Sequence, residues 1–459
     1  MKGRTLKRWG LLAAAVAVLA GCAAPTPPLT LPAAPVAAAF PNAAASPQNG
    51  LRAAAAIGWQ QYFPDPALRE VIGKALANNR DLRVAVLNIE AARAVLGQRR
   101  ADLWPTLNAG ASAVRGTGSN GNVVGTYTAG LTVSAWELDL FGRIRAGSDA
   151  AAAQLAASEE GRRAAQVALV ASVAQAWLSL CADDELLEIA RDTVKSREQS
   201  LNLTQLRYQH GTASELDLRQ AQSLAASAQA ALAQFTRQRE LDLNALTLLV
   251  GQPLAVSTLP RIQSLAFAEL PTGLPSEVLL QRPDVRQAEQ LLVAANANIG
   301  AARAAYWPRI SLTGSLGTAS TQLGDLFKDG AWSFAAQLLM PIFDAGRTES
   351  LVRGATAQRD IALAQYERAI QAAFRDVADA LAGRATLMDQ LRALEVQRQS
   401  EAARLQLVQV RVDNGVGTTL ELLDAERSLF AAAQAEVQTR LAEQQSRIAM
   451  YRAIGGGVQ

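Results

Sequence analysis

The sequence predicts a mainly α-helical chain with a small β-barrel part, built from two tandem repeats. Three observations carry this. First, positions about 204 residues apart coincide: Arg207, Gly211, Leu216, Leu218, Ala221 and Gly251 recur as Arg411, Gly415, Leu420, Leu422, Ala425 and Gly455. Second, proline-free stretches run from Arg143 to about Tyr208 and from Arg347 to about Val412. At 1.5 Å per residue, ~65 residues make roughly 100 Å of helix, where an ordinary domain helix has about a dozen residues. Third, four short segments alternate apolar and polar residues, the period of a strand with two unlike faces.

The first 21 residues read as a targeting leader. Lys2, Arg4, Lys7 and Arg8 precede an unbroken apolar run from Leu11 to Ala20, too short to span a bilayer as a mature helix. Leu19-Ala20-Gly21-Cys22 follows and resembles a bacterial lipobox, in which cleavage leaves Cys22 as the lipidated first residue. The covalent group implied is a diacylglycerol with a palmitate. Ala23 after the cysteine, rather than an aspartate, implies sorting to the outer membrane. The leader holds four of the 44 basic residues and no acidic one, so the remainder carries 40 against 41, a net of −1. Nothing in that balance favours nucleic acid as a partner.

Residues 22–58 form an N-terminal segment rich in Pro and Ala (Pro25, Pro27, Pro28, Pro32, Pro35, Pro41, Pro47), which no continuous helix tolerates. It reads as an extended, lipid-anchored tether. The first repeat spans 59–250. Its strands are expected at about 105–117 and 125–140, its long helices at about 143–209 and 214–250. Residues 251–282 form a proline-rich linker. The second repeat spans 283–459, with strands at about 308–318 and 331–343 and helices at about 347–412 and 418–454. Trp104-Pro105 recurs as Trp307-Pro308, and the strand-to-helix junction Gly142-Arg143 recurs as Gly346-Arg347.

The strand faces are explicit. Tyr127, Ala129, Leu131, Val133 and Ala135 alternate with Thr126, Thr128, Gly130, Thr132 and Ser134; Trp332, Phe334, Ala336, Leu338 and Met340 share one face. A lipid-facing, water-filled barrel wall needs this pattern. Each half supplies two strands. Four strands cannot close a barrel, and an open edge in lipid leaves backbone groups unpaired. Two copies give eight strands, three twelve, four sixteen; an eight-stranded interior fills with its own side chains, so a duct points to three or more copies.

In the helices, Leu180, Leu187, Val194, Leu201 and Tyr208 fall seven apart, the spacing of coiled-coil packing. Gly211 and Gly415, with Gly417, supply the flexible backbone where each hairpin reverses. Hydrophobic residues make up 50% of the chain but aromatics only 5%, and alanine dominates, which suits closely packed helices.

Chemistry is poorly provided for. His210 is the one histidine, at a turn, and a lone histidine cannot build the usual multi-histidine metal site. Asp183, Asp184, Glu185 and Glu188 read as a solvated helix face. Cys181 reads as a small packing residue. Gly415-x-Gly417 and Gly455-Gly456-Gly457 lack the strand-to-helix context of a phosphate loop. Neither an enzyme nor a bound cofactor is expected.

Taken in order, the lipobox, the repeated Trp-Pro, the segment Trp-Glu-Leu-Asp-Leu-Phe-Gly-Arg ending at Arg143, its counterpart Pro341-Ile-Phe-Asp-Ala-Gly-Arg347, and the turn from Asn414 to Ala425 resemble the outer-membrane factor lipoproteins. These are the TolC-like exit ducts, including the NodT type, of bacterial efflux and type I secretion systems. The resemblance implies a homotrimer with a twelve-stranded barrel in outer-membrane lipid and a twelve-helix α-barrel in the periplasm, the linker 251–282 lying in an equatorial belt. It implies passive export with a periplasmic adaptor and an inner-membrane pump, of RND type. It also implies that Asp217, Glu421 and Asp424 ring the periplasmic aperture. One departure stands out: the secretion branch locks its gate with a tyrosine and an arginine where Val412 and Gly417 stand here. A type I secretion duct, or a periplasmic coiled-coil lipoprotein without a pore, are the other readings.

Overall fold

A computed structural model describes residues 26–41, 57–117, 121, 123–256, 258–269 and 276–456. The leader and Cys22 lie outside the described residues. After a helical turn at Trp59–Tyr62 come α1 (Pro66–Asn78), α2 (Arg80–Ala101), β1 (Leu107–Thr117), β2 (Val123–Leu138), α3 (Arg143–Gln209) and α4 (Glu215–Val250). The second half supplies α5 (Pro283–Arg303), β3 (Arg309–Ser320), β4 (Gly330–Leu339), α6 (Arg347–Asp413) and α7 (Thr419–Ala453). Among the described residues two compact units result: 26–34, 87–160 and 286–368 form one, and the rest form the other.

The first unit holds a four-stranded antiparallel sheet in the order β1-β2-β3-β4. Strand bounds differ from the alternation in informative ways. The pattern predicts a strand to 343, but β4 ends at Leu339, just before Pro341, which has no amide hydrogen to give a ladder. For the same reason β1 begins at Leu107, beyond Pro105. The two repeats meet at β2 and β3, paired from Tyr127↔Ser320 to Leu138↔Ile310. A bulge interrupts this pairing between Val133 and Trp136, where Ala135 takes φ 50°. Gly130 faces Gly317. A Cβ built on Gly130 would lie 2.4 Å from the Leu316 carbonyl oxygen, and one on Gly317 2.2 Å from that of Ala129, so the backbones approach closely only because both side chains are missing.

Along β4, Trp332, Phe334 and Leu338 share one face and are exposed in the chain. Strands β1 and β4 have no further partner strand among the described residues. In the same unit, residues 26 and 27 lie on α5: Asn296 Nδ2 donates to Pro27 O at 2.8 Å, and Gly300 gives Thr26 room that a Cβ would fill.

The second unit is built from helices. Asp65 caps α1, accepting from Leu68 N at 2.7 Å, with Pro66 in the first turn. The break between α1 and α2 is held by Asn79, which donates to Leu249 O at 2.8 Å and accepts from Leu82 N at 2.8 Å. Opposite it, Gly251 ends α4 at φ 76°, too close to Asn78 O for any Cβ. An aromatic nucleus ties the chain ends together: Tyr62 stacks on Tyr451 at 4.5 Å and on Phe267 at 5.8 Å, and its hydroxyl donates to Arg447 O at 2.8 Å. Helix α3 contains a window apolar and long enough to cross a membrane by composition, but 56% of that window is buried within the chain. Val170, Val173, Leu178 and Leu180 are packed there, which accounts for the hydropathy.

Arg282 closes the linker, with only 7% of its side chain exposed. It donates to Asp284 through Nε (3.0 Å) and Nη2 (2.7 Å), and to Ala453 O through Nη1 (2.8 Å); Asp376 lies 3.4 Å away. Removing one partner of a buried, hydrogen-bonded ion cluster leaves uncompensated charge. Arg282→Met is expected to destabilise the protein by about 3 kcal/mol, read as a lower chemical-denaturation midpoint in detergent. An unchanged midpoint would show that this cluster contributes nothing.

Candidate functional site

Three places hold the residues singled out from sequence: the strand-to-helix junctions, the helix-hairpin tips and the seam between helices. At the junctions, Gly142 and Gly346 take φ 75° and 83°, left-handed values that admit glycine. An aspartate starts each long helix. Asp139 accepts from Ile144 N (3.1 Å) and Arg145 N (2.8 Å); Asp344 accepts from Thr348 N (2.9 Å) and Thr348 Oγ1 (2.5 Å). Arg143 forms a bidentate pair with Glu137 at 2.8 and 2.7 Å. The corresponding place on the other repeat is Pro341, so Arg347 has no such partner within the repeat. Phe141 stacks on Trp307, with ring centroids 5.3 Å apart and planes 10° apart.

At the tips, Gly211 and Gly415 take φ 72° and 75°. Arg207 O accepts from Thr212 N at 2.8 Å; Arg411 O accepts from Val416 N at 2.9 Å and Gly417 N at 3.0 Å. These bonds satisfy the last carbonyls of α3 and α6. Gly417 is required by closeness: a Cβ there would lie 2.9 Å from Val412 N. Val408, Val412, Leu422 and Ala425 form a small apolar core under the second tip.

The three candidate acids are all engaged inside their own hairpins. Asp217 and Ser214 form a reciprocal cap of α4, with Asp217 N donating to Ser214 Oγ at 3.1 Å and Ser214 N to Asp217 Oδ2 at 3.0 Å. The Ser214 hydroxyl, then its amide, hold the Asp217 carboxyl below the usual carboxylate range. Glu421 plays the same part for Thr418 at α7 and lies 3.8 Å from Arg411. Asp424 pairs with Arg404 at 2.7 Å and Arg427 at 2.6 Å, and the Arg404 hydrogen bond is the main cause of its lowered pKa. Glu421 and Asp424 thus share one hairpin with three arginines, while Asp217 is bound within its own turn.

The helix seam differs from expectation. Leu180 and Leu187 are buried, but Tyr208 is exposed. Towards the tips the buried heptad positions are instead Asp183, Ala190, Arg197 and Thr204, again seven apart. Polar residues occupy three of them, which an apolar pattern cannot reveal; their shared spacing is the signal that could have. Arg197 donates to Leu224 O at 3.0 Å and lies 5.1 Å above the Phe430 ring. Ser196 and Ser200 both donate to Glu426 Oε1 at 3.2 Å. Arg398 and Arg440 pair with Glu436 in the second half.

The four acids of α3 are therefore not one solvated face. Asp183 is 6% exposed and faces Asp242 of α4. Asp184 accepts from Arg239 at 2.9 Å, Glu185 from Ile262 N at 2.6 Å, and Glu188 from Arg261 at 3.2 Å. Each reaches a different neighbour because successive helical positions point about 100° apart. Cys181 is buried, and burial pushes its thiol pKa up, as a packing residue requires.

Comparison with known proteins decides the class. The family described as outer membrane efflux protein matches the chain twice, over residues 71–252 and 274–456. The chain belongs to that family. The two matches coincide with the two repeats, so the duplication is the family's own unit. The probable efflux pump outer membrane protein TtgC of Pseudomonas putida is 43% identical, over 97% of this chain and 95% of that protein. The outer membrane protein OprJ of Pseudomonas aeruginosa is 41% identical, over 98% and 96%. The open state of the Neisseria gonorrhoeae MtrE outer membrane channel superposes with a TM-score of 0.86 at 38% identity, covering 94% of this chain and 98% of that one. Efflux at the outer membrane is accordingly the function of the family and of this chain. Long helices plus a small barrel-forming sheet are its fold.

The seam carries a pH dependence. Burial, then the hydrogen bond and charge of Asp242, raise the Asp183 carboxyl to about 8, against a smaller opposing pull from Arg239. A raised carboxyl binds its proton more tightly folded than unfolded. Its stabilisation is full below the ordinary carboxylate range and is lost as pH rises through about 8. Asp183→Asn is expected to flatten the fall in thermal midpoint between about pH 4 and 8. An identical pH profile in the variant would place the titrating group elsewhere.

Proposed function

We propose that this protein is the trimeric exit duct of a tripartite efflux pump, passive itself and driven by an inner-membrane pump of RND type through a periplasmic adaptor. The observation that carries the reading is the sheet. Four strands with both edges open cannot lie in lipid alone, and three copies give a twelve-stranded wall wide enough for water. The two helical hairpins of each copy then contribute to a twelve-helix wall in the periplasm. Cys22 would carry the diacylglycerol and palmitate that hold the chain to the membrane.

In this reading Asp217, Glu421 and Asp424 sit at the periplasmic aperture with three-fold multiplicity. Their charges do not act as bare acids: Arg404, Arg411 and Arg427 offset those of the second hairpin. The selectivity they impose is correspondingly weaker than that of an uncompensated acidic ring. Efflux rather than protein secretion is favoured by the relatives named for efflux pumps and by Val412 and Gly417 at the lock positions of the secretion branch.

Native mass spectrometry in detergent should give three chains, and the purified protein should give stable conductance in planar bilayers. No conductance, even with the tip acids neutralised, would favour a lipoprotein scaffold without a pore. Asp424→Asn with Glu421→Gln is expected to lower cation preference, read as a shift in reversal potential under a salt gradient. An unshifted potential would remove both acids from selectivity.

A further inference from the structure

Within one chain the two repeats meet at an aromatic junction. Strand β2 leaves the sheet through Phe141, and β3 enters it through Trp307. Their rings stack where the paired strands end, beside Leu138↔Ile310. Phe141 is 7% exposed as a result.

The same parts recur at the outer edges, exposed among the described residues. Trp104 enters β1 as Trp307 enters β3, and it is 74% exposed. The exit from β4 carries Ile342 and Phe343, 88% and 89% exposed. Such exposure of three large apolar side chains is costly and calls for cover. Aligned on Gly142-Arg143 and Gly346-Arg347, the place of Phe141 falls to Ala345, and the aromatic stands two residues earlier. The connection there is longer, 340–346 in place of 139–142, which offsets the shift of the aromatic towards the strand.

The trimeric duct pairs β4 of one copy with β1 of the next; we propose that at this seam Trp104 of that next copy packs on Ile342 and Phe343, repeating between chains the Phe141–Trp307 contact made within one. The occupant of each exposed patch is thus a second copy of this chain. The repeat argues for it: β1 stands to β4 of a neighbour as β3 stands to β2, and both edges are open for pairing. The contact is heterologous, one surface meeting a different one, which is the kind of interface a closed ring of three copies requires. Stacked aromatics at such a junction fix the stagger of the strands that follow, and with it the closure of the barrel. The inference rests on the trimeric duct reading and adds to it which residues join the copies.

The test uses the full-length protein in membranes. Trp104→Cys with Phe343→Cys, treated with a short bis-maleimide, is expected to give covalent dimers and trimers on a denaturing gel. Trp104→Cys with Phe327→Cys, which places the second thiol in the loop at the far end of β4, is expected to stay monomeric. Of the two native cysteines Cys181 is buried, and the single variants Trp104→Cys and Phe343→Cys, treated alike, report any cross-link made through Cys22. Alongside, Trp104→Ala and Phe343→Ala should each lower the temperature at which the trimer dissociates, with the double variant little worse than the more severe single one. Trimers by native mass that give neither cross-link nor coupling would overturn this junction and leave the duct reading intact. A wild-type protein that is monomeric by native mass would overturn the duct reading itself, and this inference with it.

Discussion

Everything in this molecule answers to the backbone of two edge strands. In the hydrocarbon region no water is at hand to satisfy an unpaired N–H or C=O, so β1 and β4 must find partners outside the chain. Among the described residues no other strand can supply them, because the two repeats already pair their inner strands with each other. From that one requirement follow the need for more copies, the ring, and the hollow interior that a ring of sufficient size leaves. The long helices follow the inner and outer strands directly, through glycine-turned, aspartate-capped junctions.

The helical part obeys a different constraint. A thin wall has little room for a thick apolar core, and its helices hold together through small side chains and engaged charge. Asp183, Arg197 and Thr204 occupy heptad positions where a soluble bundle would place leucine. Arg197 is partnered by a backbone carbonyl and a ring face, and Glu426 by two serines. Such contacts add little net stability, because the desolvation of buried charge offsets the attraction gained. They also give the seam a dependence on protonation that an apolar seam would lack.

Much of the fold was legible in the sequence because it is written twice. A residue pattern repeated at a distance of about 204 needs no alignment to be seen, and strands, turns and Gly-Arg junctions fell within a few residues of where period and proline placed them. The losses have physical causes. The apolar period follows leucine, so it missed the polar heptad positions. Four acids in one short stretch looked like one face because linear proximity was mistaken for angular proximity; Asp183 turns inward and Glu188 outward. Ser214 and Thr418 stand three residues before Asp217 and Glu421, so the capping of α4 and α7 was legible as S-x-x-D and T-x-x-E, a role compatible with a place at the aperture.

Gly130 and Gly317 carry one more consequence. Substitution within a barrel wall is ordinarily ruled by its two surfaces: apolar exchanges on the lipid side, polar ones on the water side. Where these two residues face each other, neither surface decides, since a single added carbon meets the opposing backbone. Mutational tolerance in this wall is therefore lowest at a point inside it, where the two repeats meet.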